Sequence, residues 1–215
     1  MLRVRAGLLS AALDAVAASG GSRRNAQERA GLASGDLADP RRLIDLDRLA
    51  LLLDAAASEL GDDALGLHIA EHLKLGVMGA FSYAVLNAPT LDIAFRNIER
   101  YSASLTPGVR PSLERRVPIT CFHFPLGDSN PIAFRHVTEA TVLTFVRMLR
   151  QLLGPGWSPV DIAFRHPEPA DTREHRRLLA VPLRFEAARD EIRLDTSDLE
   201  RDVPHADRFL LPIAE

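Results

Sequence analysis

A chain of 215 residues with a hydrophobic fraction of 47% is long enough for a sizeable buried core, as one large domain or two small subdomains. Its net charge of −3 lacks the basic footprint of a nucleic-acid binder, and its single cysteine, Cys121, excludes an internal disulfide and points to the cytoplasm. No apolar stretch is long enough to span a bilayer, so no membrane partner is expected.

The opening, "MLRVRAGLLSAALDAVAASGG", has the arginines, apolar run and small-residue end of a signal peptide. Asp14 breaks the run, however, and Leu9, Leu13 and Val16 repeat at helical spacing. This predicts an amphipathic first helix ending at Gly20-Gly21, with a signal peptide as the alternative reading. Ser22 can cap a short second helix that stops at Gly31, and "LASGDLADP" reads as a loop. Leu46, Leu49, Ala50, Leu53, Ala57 and Leu60 then form one helix face, ended by Gly61. Asp62 can cap the next helix. "AFSYAVLNA" is a short helix stopped by Pro89. Thr90 caps another, with Leu91, Ala94, Phe95, Ile98 and Leu105 on its apolar side.

Near Gly108 the periodicity changes. "RPSLERR" and "PITCFHF" read as strands. Asn130-Pro131 supplies a cap and a first helical proline for a long central helix over 131–153, apolar on most sides in its later part. Val160, Ile162 and Phe164 alternate as a strand, and "TREHRRLL" is a short helix. "VPLRF" and "EIRLD" alternate again, joined by "EAAR" as a hairpin. The tetrapeptide "IAFR" occurs three times, but with unequal spacing and in different local structure, so it is no repeat. The expected fold is α+β: a helical half over 1–107, then, over 108–215, a small mainly antiparallel sheet packed on the central helix.

One motif carries a possible chemistry. "HIAEH" at 68–72 matches H-x-x-E-H, in which two histidines one helical turn apart bind zinc and a glutamate acts as base. Glu139 could serve as third ligand. The helical wheel argues otherwise. Leu65, Ile69, Ala70 and Leu73 form the apolar face, while His68 and Glu71 lie on the polar side and His72 at the border. The expectation is a solvated face, no metal and no enzyme, with a zinc hydrolase using His68, Glu71 and His72 as the alternative. The remaining histidines, including His123, His136, His166, His175 and His205, are scattered. No nucleophile elbow, dinucleotide fingerprint or P-loop is present, and Cys121 sits in an apolar strand.

The order of several short features is more specific than any one of them. Asp39-Pro40, Ala56-Ala57, Gly61-Asp62, Leu65-Gly66-Leu67, Gly79, Pro89-Thr90-Leu91 and Arg100-Tyr101 follow one another through 39–101, and "VPLRFEAARDEIRLDTSDLERDVPHAD" follows downstream. This succession resembles the N-terminal effector-binding, arabinose-binding-like domain of AraC-type transcriptional regulators, over nearly the whole chain. The resemblance implies one sensor domain over 1–215 that binds a small-molecule effector, forms a homodimer, needs no cofactor and reaches DNA only through a C-terminal double helix-turn-helix domain absent from this chain. It also implies that the helix bearing 68–72 has no metal role.

A pocket is expected where the helical and sheet-rich halves meet. Tyr83, Arg100 and Tyr101 are expected to line it, with Phe81 and His123 as wall. Phe122 and His123 must point to opposite faces of their strand, so one cleft can use only one of them.

Overall fold

In the computed structural model, which describes residues 2–127 and 130–204, the chain opens with a strand that periodicity does not reveal. β1 (Arg3–Arg5) pairs antiparallel with β2 (Leu43–Asp45), Val4 opposite Ile44. Three residues are too few for alternation to register, so this small sheet within the helical half is absent from the sequence reading. Between its strands run α1 (Ala6–Ala18), which buries Leu9, Leu13 and Val16 as expected, and α2 (Arg23–Arg29). The Ser22 hydroxyl caps α2 by accepting the Asn25 N–H at 3.2 Å.

α3 (Leu46–Leu60) ends where expected, at Gly61, whose φ of 63° is the left-handed conformation that glycine adopts without strain. α4 (Leu65–His72) starts later than Asp62 predicts, with Ala64 as its cap residue. Asp62 instead accepts the Ala64 N–H at 3.0 Å, one turn short of the helix, and turns its second oxygen to His68. α5 (Ala80–Leu86) and α6 (Leu91–Tyr101) follow, the latter capped by Thr90. Leu105 lies beyond the end of α6, after a 3-10 turn at Ser102–Ser104.

The second half contains β3 (Ser112–Glu114), β4 (Ile119–His123), α7 (Arg135–Leu153), β5 (Asp161–Ala163), α8 (Arg173–Leu179), β6 (Leu183–Arg184) and β7 (Glu191–Asp195). The sheet order is β3-β4-β7-β5-β6, and every pairing except β5 with β6 is antiparallel. The α+β architecture with a mainly antiparallel sheet therefore stands.

Two details are corrected. The central helix begins at Arg135, not 131, because Asn130 caps an isolated turn by accepting the Ala133 N–H at 3.1 Å. The expected hairpin between "VPLRF" and "EIRLD" does not form. β5 lies between them, and after β6 the chain stays on that strand's extension: Glu186 N–H donates to His166 O and Ala187 N–H to Phe164 O.

The sheet packs on α6 and α7 through aromatic contacts. Phe122 on β4 meets Phe95 at 4.9 Å and Phe145 at 5.1 Å between ring centroids. α4 crosses α7 closely enough that a Cβ at Gly66 would overlap the backbone carbonyl of His136. On either side of that crossing Leu65 and Leu67 are fully buried, each contributing about 1.5–3 kcal/mol by leaving water.

Candidate functional site

A cavity of about 170 Å³ opens where the two halves meet, around the α4–α7 crossing. α7 supplies Val137, Ala140, Thr141 and Thr144, spaced i, i+3, i+4 and i+7, so all four lie on one stripe of the helix. α1 contributes Leu8 and Ala12, α3 Leu49 and Leu53, and α4 Ile69 and Ala70. Phe81 of α5 and the segment from Ser102 to Pro111 complete the helical side, and Phe124 and Leu126 close it from the end of β4. Among the described residues, no charged side chain lines it. Its polar side chains are the hydroxyls of Ser102, Thr106, Thr141 and Thr144, and two of these are engaged by the backbone. Thr141 donates to Val137 O at 2.8 Å and Thr106 to Ser102 O at 3.3 Å.

The opposite side of α7 is polar and equally buried. Glu139 lies about half a turn away from the cavity stripe. Its Oε1 accepts from His175 Nε2 at 2.8 Å and from Arg135 Nε at 2.9 Å, and His166 Nε2 and His136 Nδ1 stand 3.6 and 3.7 Å from its oxygens. Burial alone would raise this carboxyl. The facing imidazoles of His136 and His175 and the Arg135 guanidinium outweigh that and hold it well below the usual carboxylate range. Burial pushes His166 down, with Glu139 working against the shift.

The 68–72 stretch is occupied by carboxylates and a guanidinium. His68 Nδ1 lies 2.7 Å from Asp62 and its Nε2 3.0 Å from Glu174, so neither nitrogen is presented to a shared metal. Burial works to lower the His68 pKa, but the two carboxylates prevail and raise it. Glu71 forms a two-pronged ion pair with Arg177, at 2.9 Å for each contact, and His72 is exposed. Glu139, offered from sequence as a third zinc ligand, belongs to the separate cluster behind α7. Among the described residues, no group of three or more histidine, cysteine or acidic side chains is arranged to hold a metal ion. His205 lies outside the described residues.

The five residues expected from sequence to share a pocket are dispersed. Phe81 lines the cavity. Tyr83, two residues further and so near the opposite side of α5, is 43% exposed. Arg100 is exposed at the end of α6, its guanidinium 5.1 Å above the Tyr101 ring. The Tyr101 ring is partly buried against the core, and its hydroxyl is buried without a hydrogen-bond partner among the described residues. His123 projects from the opposite face of β4 to Phe122, as alternation requires, between Glu114 and Glu191 at 3.3 Å each. It borders a second, polar depression of about 320 Å³ that also includes Arg110, Arg165 and Arg189.

Sequence reasoning missed the α7 stripe. Its signal was the succession of small and hydroxyl-bearing residues, Ala140, Thr141 and Thr144, among the large apolar side chains Val142, Leu143, Phe145 and Val146.

Comparison with known proteins agrees with this architecture. The family model for the arabinose-binding domain at the N-terminus of AraC transcription regulators matches residues 20–203. The chain is 27% identical over 208 residues to the ornithine utilization regulator of Pseudomonas aeruginosa, covering 95% of this chain and 60% of that protein. It is 26% identical over 158 residues to the HTH-type transcriptional regulator VirS of Mycobacterium tuberculosis, covering 73% and 46%. The fold is similar to the crystal structure of the transcriptional regulator CdpR from Pseudomonas aeruginosa, with a TM-score of 0.59 at 18% identity over 69% of this chain and 49% of that one. The chain thus spans about half to three-fifths of the length of these proteins.

Proposed function

Since the chain belongs to the family of arabinose-binding domains of AraC transcription regulators, we propose that it senses a small effector in the cavity between α4 and α7 and passes the binding free energy to a DNA-reading domain. The observation that carries this reading is the cavity's place. It is walled by both halves of the fold, so an occupant that prefers one packing of α4 on α7 shifts the population toward that packing. The work is binding, without catalysis. It belongs in the cytoplasm, where a regulator meets DNA, and no helix among the described residues is long and apolar enough to cross a membrane. A homodimer is the assembly proposed, since paired half-sites on DNA suit a two-fold protein.

The name of one relative, the ornithine utilization regulator, points to ornithine. Ornithine would bring two ammonium groups and a carboxylate into a cavity that has no charged side chain among the described residues, so that effector does not suit this chain.

A thermal-shift screen of metabolite classes tests the proposal. An effector that binds only the folded chain raises its stability by about 2.7 kcal/mol at a hundredfold excess over its Kd. Filling the cavity by Ala140→Leu is expected to abolish that gain. An effector whose stabilisation survives in the folded variant would move the sensing site elsewhere. The isolated chain is also expected to give no sequence-specific shift of duplex DNA at physiological salt, and a specific shift would overturn the division of labour.

A further inference from the structure

We propose that the effector buries a neutral hydrocarbon group, about the size of one aromatic ring, in the cavity between α4 and α7. This rests on the reading of that cavity as the effector site and adds the chemical class of the occupant.

Three features carry it. The first is the absence of charged side chains from the lining among the described residues. A carboxylate or ammonium buried there would lose its water and find no counter-charge, which is the arrangement folded proteins avoid most consistently. The second is that the polar side chains of the described lining are four hydroxyls, and those of Thr141 and Thr106 already donate to backbone carbonyls, which leaves Ser102 and Thr144 as the side-chain donors for a strongly polar ligand. The third is size. A cavity of about 170 Å³ compares with engineered apolar cavities of roughly 150 Å³, which stay dry and take up benzene. Phe81, Phe124 and Phe145 give the lining aromatic surface for such an occupant, and Met78 adds a thioether that adapts to its outline.

The hydrocarbon class also fits a sensing role. An apolar occupant gains most where helices already crowd each other, as they do at Gly66 beside the cavity. Filling the void restores dispersion contacts that the empty walls lack, and those contacts exist only in the packing that closes around the ligand.

Amide chemical-shift titrations of the chain with benzene and with ornithine decide the matter. Benzene is expected to give saturable shifts centred on α4 and α7, weakened by about tenfold or more in Ala140→Leu and in Thr141→Leu, while ornithine gives none. The second variant keeps the test open should Ala140→Leu fail to fold. Absence of saturable benzene shifts overturns the proposal, as does benzene affinity unchanged in a folded variant. Ornithine binding that is lost in the variants overturns the hydrocarbon class and leaves the cavity as the effector site. Ornithine binding that survives in them overturns both readings.

Discussion

Glu139 and His175 meet in the core at 2.8 Å, and neither side chain reaches solvent. One residue comes from α7 and the other from α8, so the contact ties the peripheral β5-α8-β6 unit to the central helix. Removing one partner of such a buried pair strands the other without compensation. Glu139→Ala, which leaves His175 and Arg135 facing an empty space, is expected to cost about 3–5 kcal/mol in urea unfolding. Glu139→Gln keeps an acceptor for His175 and should cost less. A loss under about 1 kcal/mol for the alanine variant would mean that the cluster contributes little to folding.

The same cluster sets the response to acid. A histidine whose pKa is depressed on folding contributes stability that is present above its unfolded value, about 6.5, and lost as pH falls toward the folded value. His166, depressed by burial, behaves in this way. Glu139, held low by its neighbours, acts in the same direction further into acid. His68 has the opposite sign. Its raised pKa gives a contribution that is full below about 6.5 and lost as pH rises through the folded value. The two histidines therefore oppose each other between pH 7 and 5. Relative to the parent, the change in urea midpoint on going from pH 7 to 5 should become more positive in His166→Gln and more negative in His68→Gln, and identical slopes in all three proteins would contradict the assignment.

Long elements with one buried face were legible in the sequence. α3 and α6 each present an apolar stripe over three turns, and their ends carry Gly61 and Thr90, residues with a local reason to be there. What escaped was short or set by distant partners. β1, β2 and β6 have two or three residues, and the placing of β5 between β6 and β7 is decided by pairing that no local pattern encodes. The cavity's location at the junction of the halves was legible from the change in periodicity. Its lining was not, because an apolar residue facing a void and one facing a neighbour look alike in sequence. The Arg100-Tyr101 pair drew attention because charge and aromaticity stand out, whereas the described cavity is lined by residues that do not.

Tyr101 yields its own prediction. Its hydroxyl is buried without a hydrogen-bond partner among the described residues, and an unsatisfied buried polar group costs about 1–3 kcal/mol. Tyr101→Phe should therefore raise stability, read as a higher urea midpoint at unchanged slope. If the variant is destabilised, the hydroxyl has a partner in solution. If it is stabilised but loses response to an effector found in the screen, the effector is that partner, and the site reaches beyond the cavity to the end of α6.

Gly66 is where stability and sensing meet. It is the middle residue of "LGL", with Leu65 and Leu67 buried on either side, and it lets α4 approach α7 to backbone contact at His136. Gly66→Ala keeps helical propensity, and in an exposed helix it would stabilise by about 0.5–1 kcal/mol. Here the added methyl must push against a carbonyl on a rigid helix, and overpacking of this kind costs about 1–3 kcal/mol. The helices can relieve it only by moving apart, which widens the cavity bounded by Ile69 and Ala70 on one side and Val137 and Ala140 on the other. The expected outcome is a lower urea midpoint together with weaker benzene binding than in the parent chain. A variant as stable as the parent, or one that is destabilised yet binds benzene with unchanged affinity, would show that the α4–α7 spacing does not control the cavity.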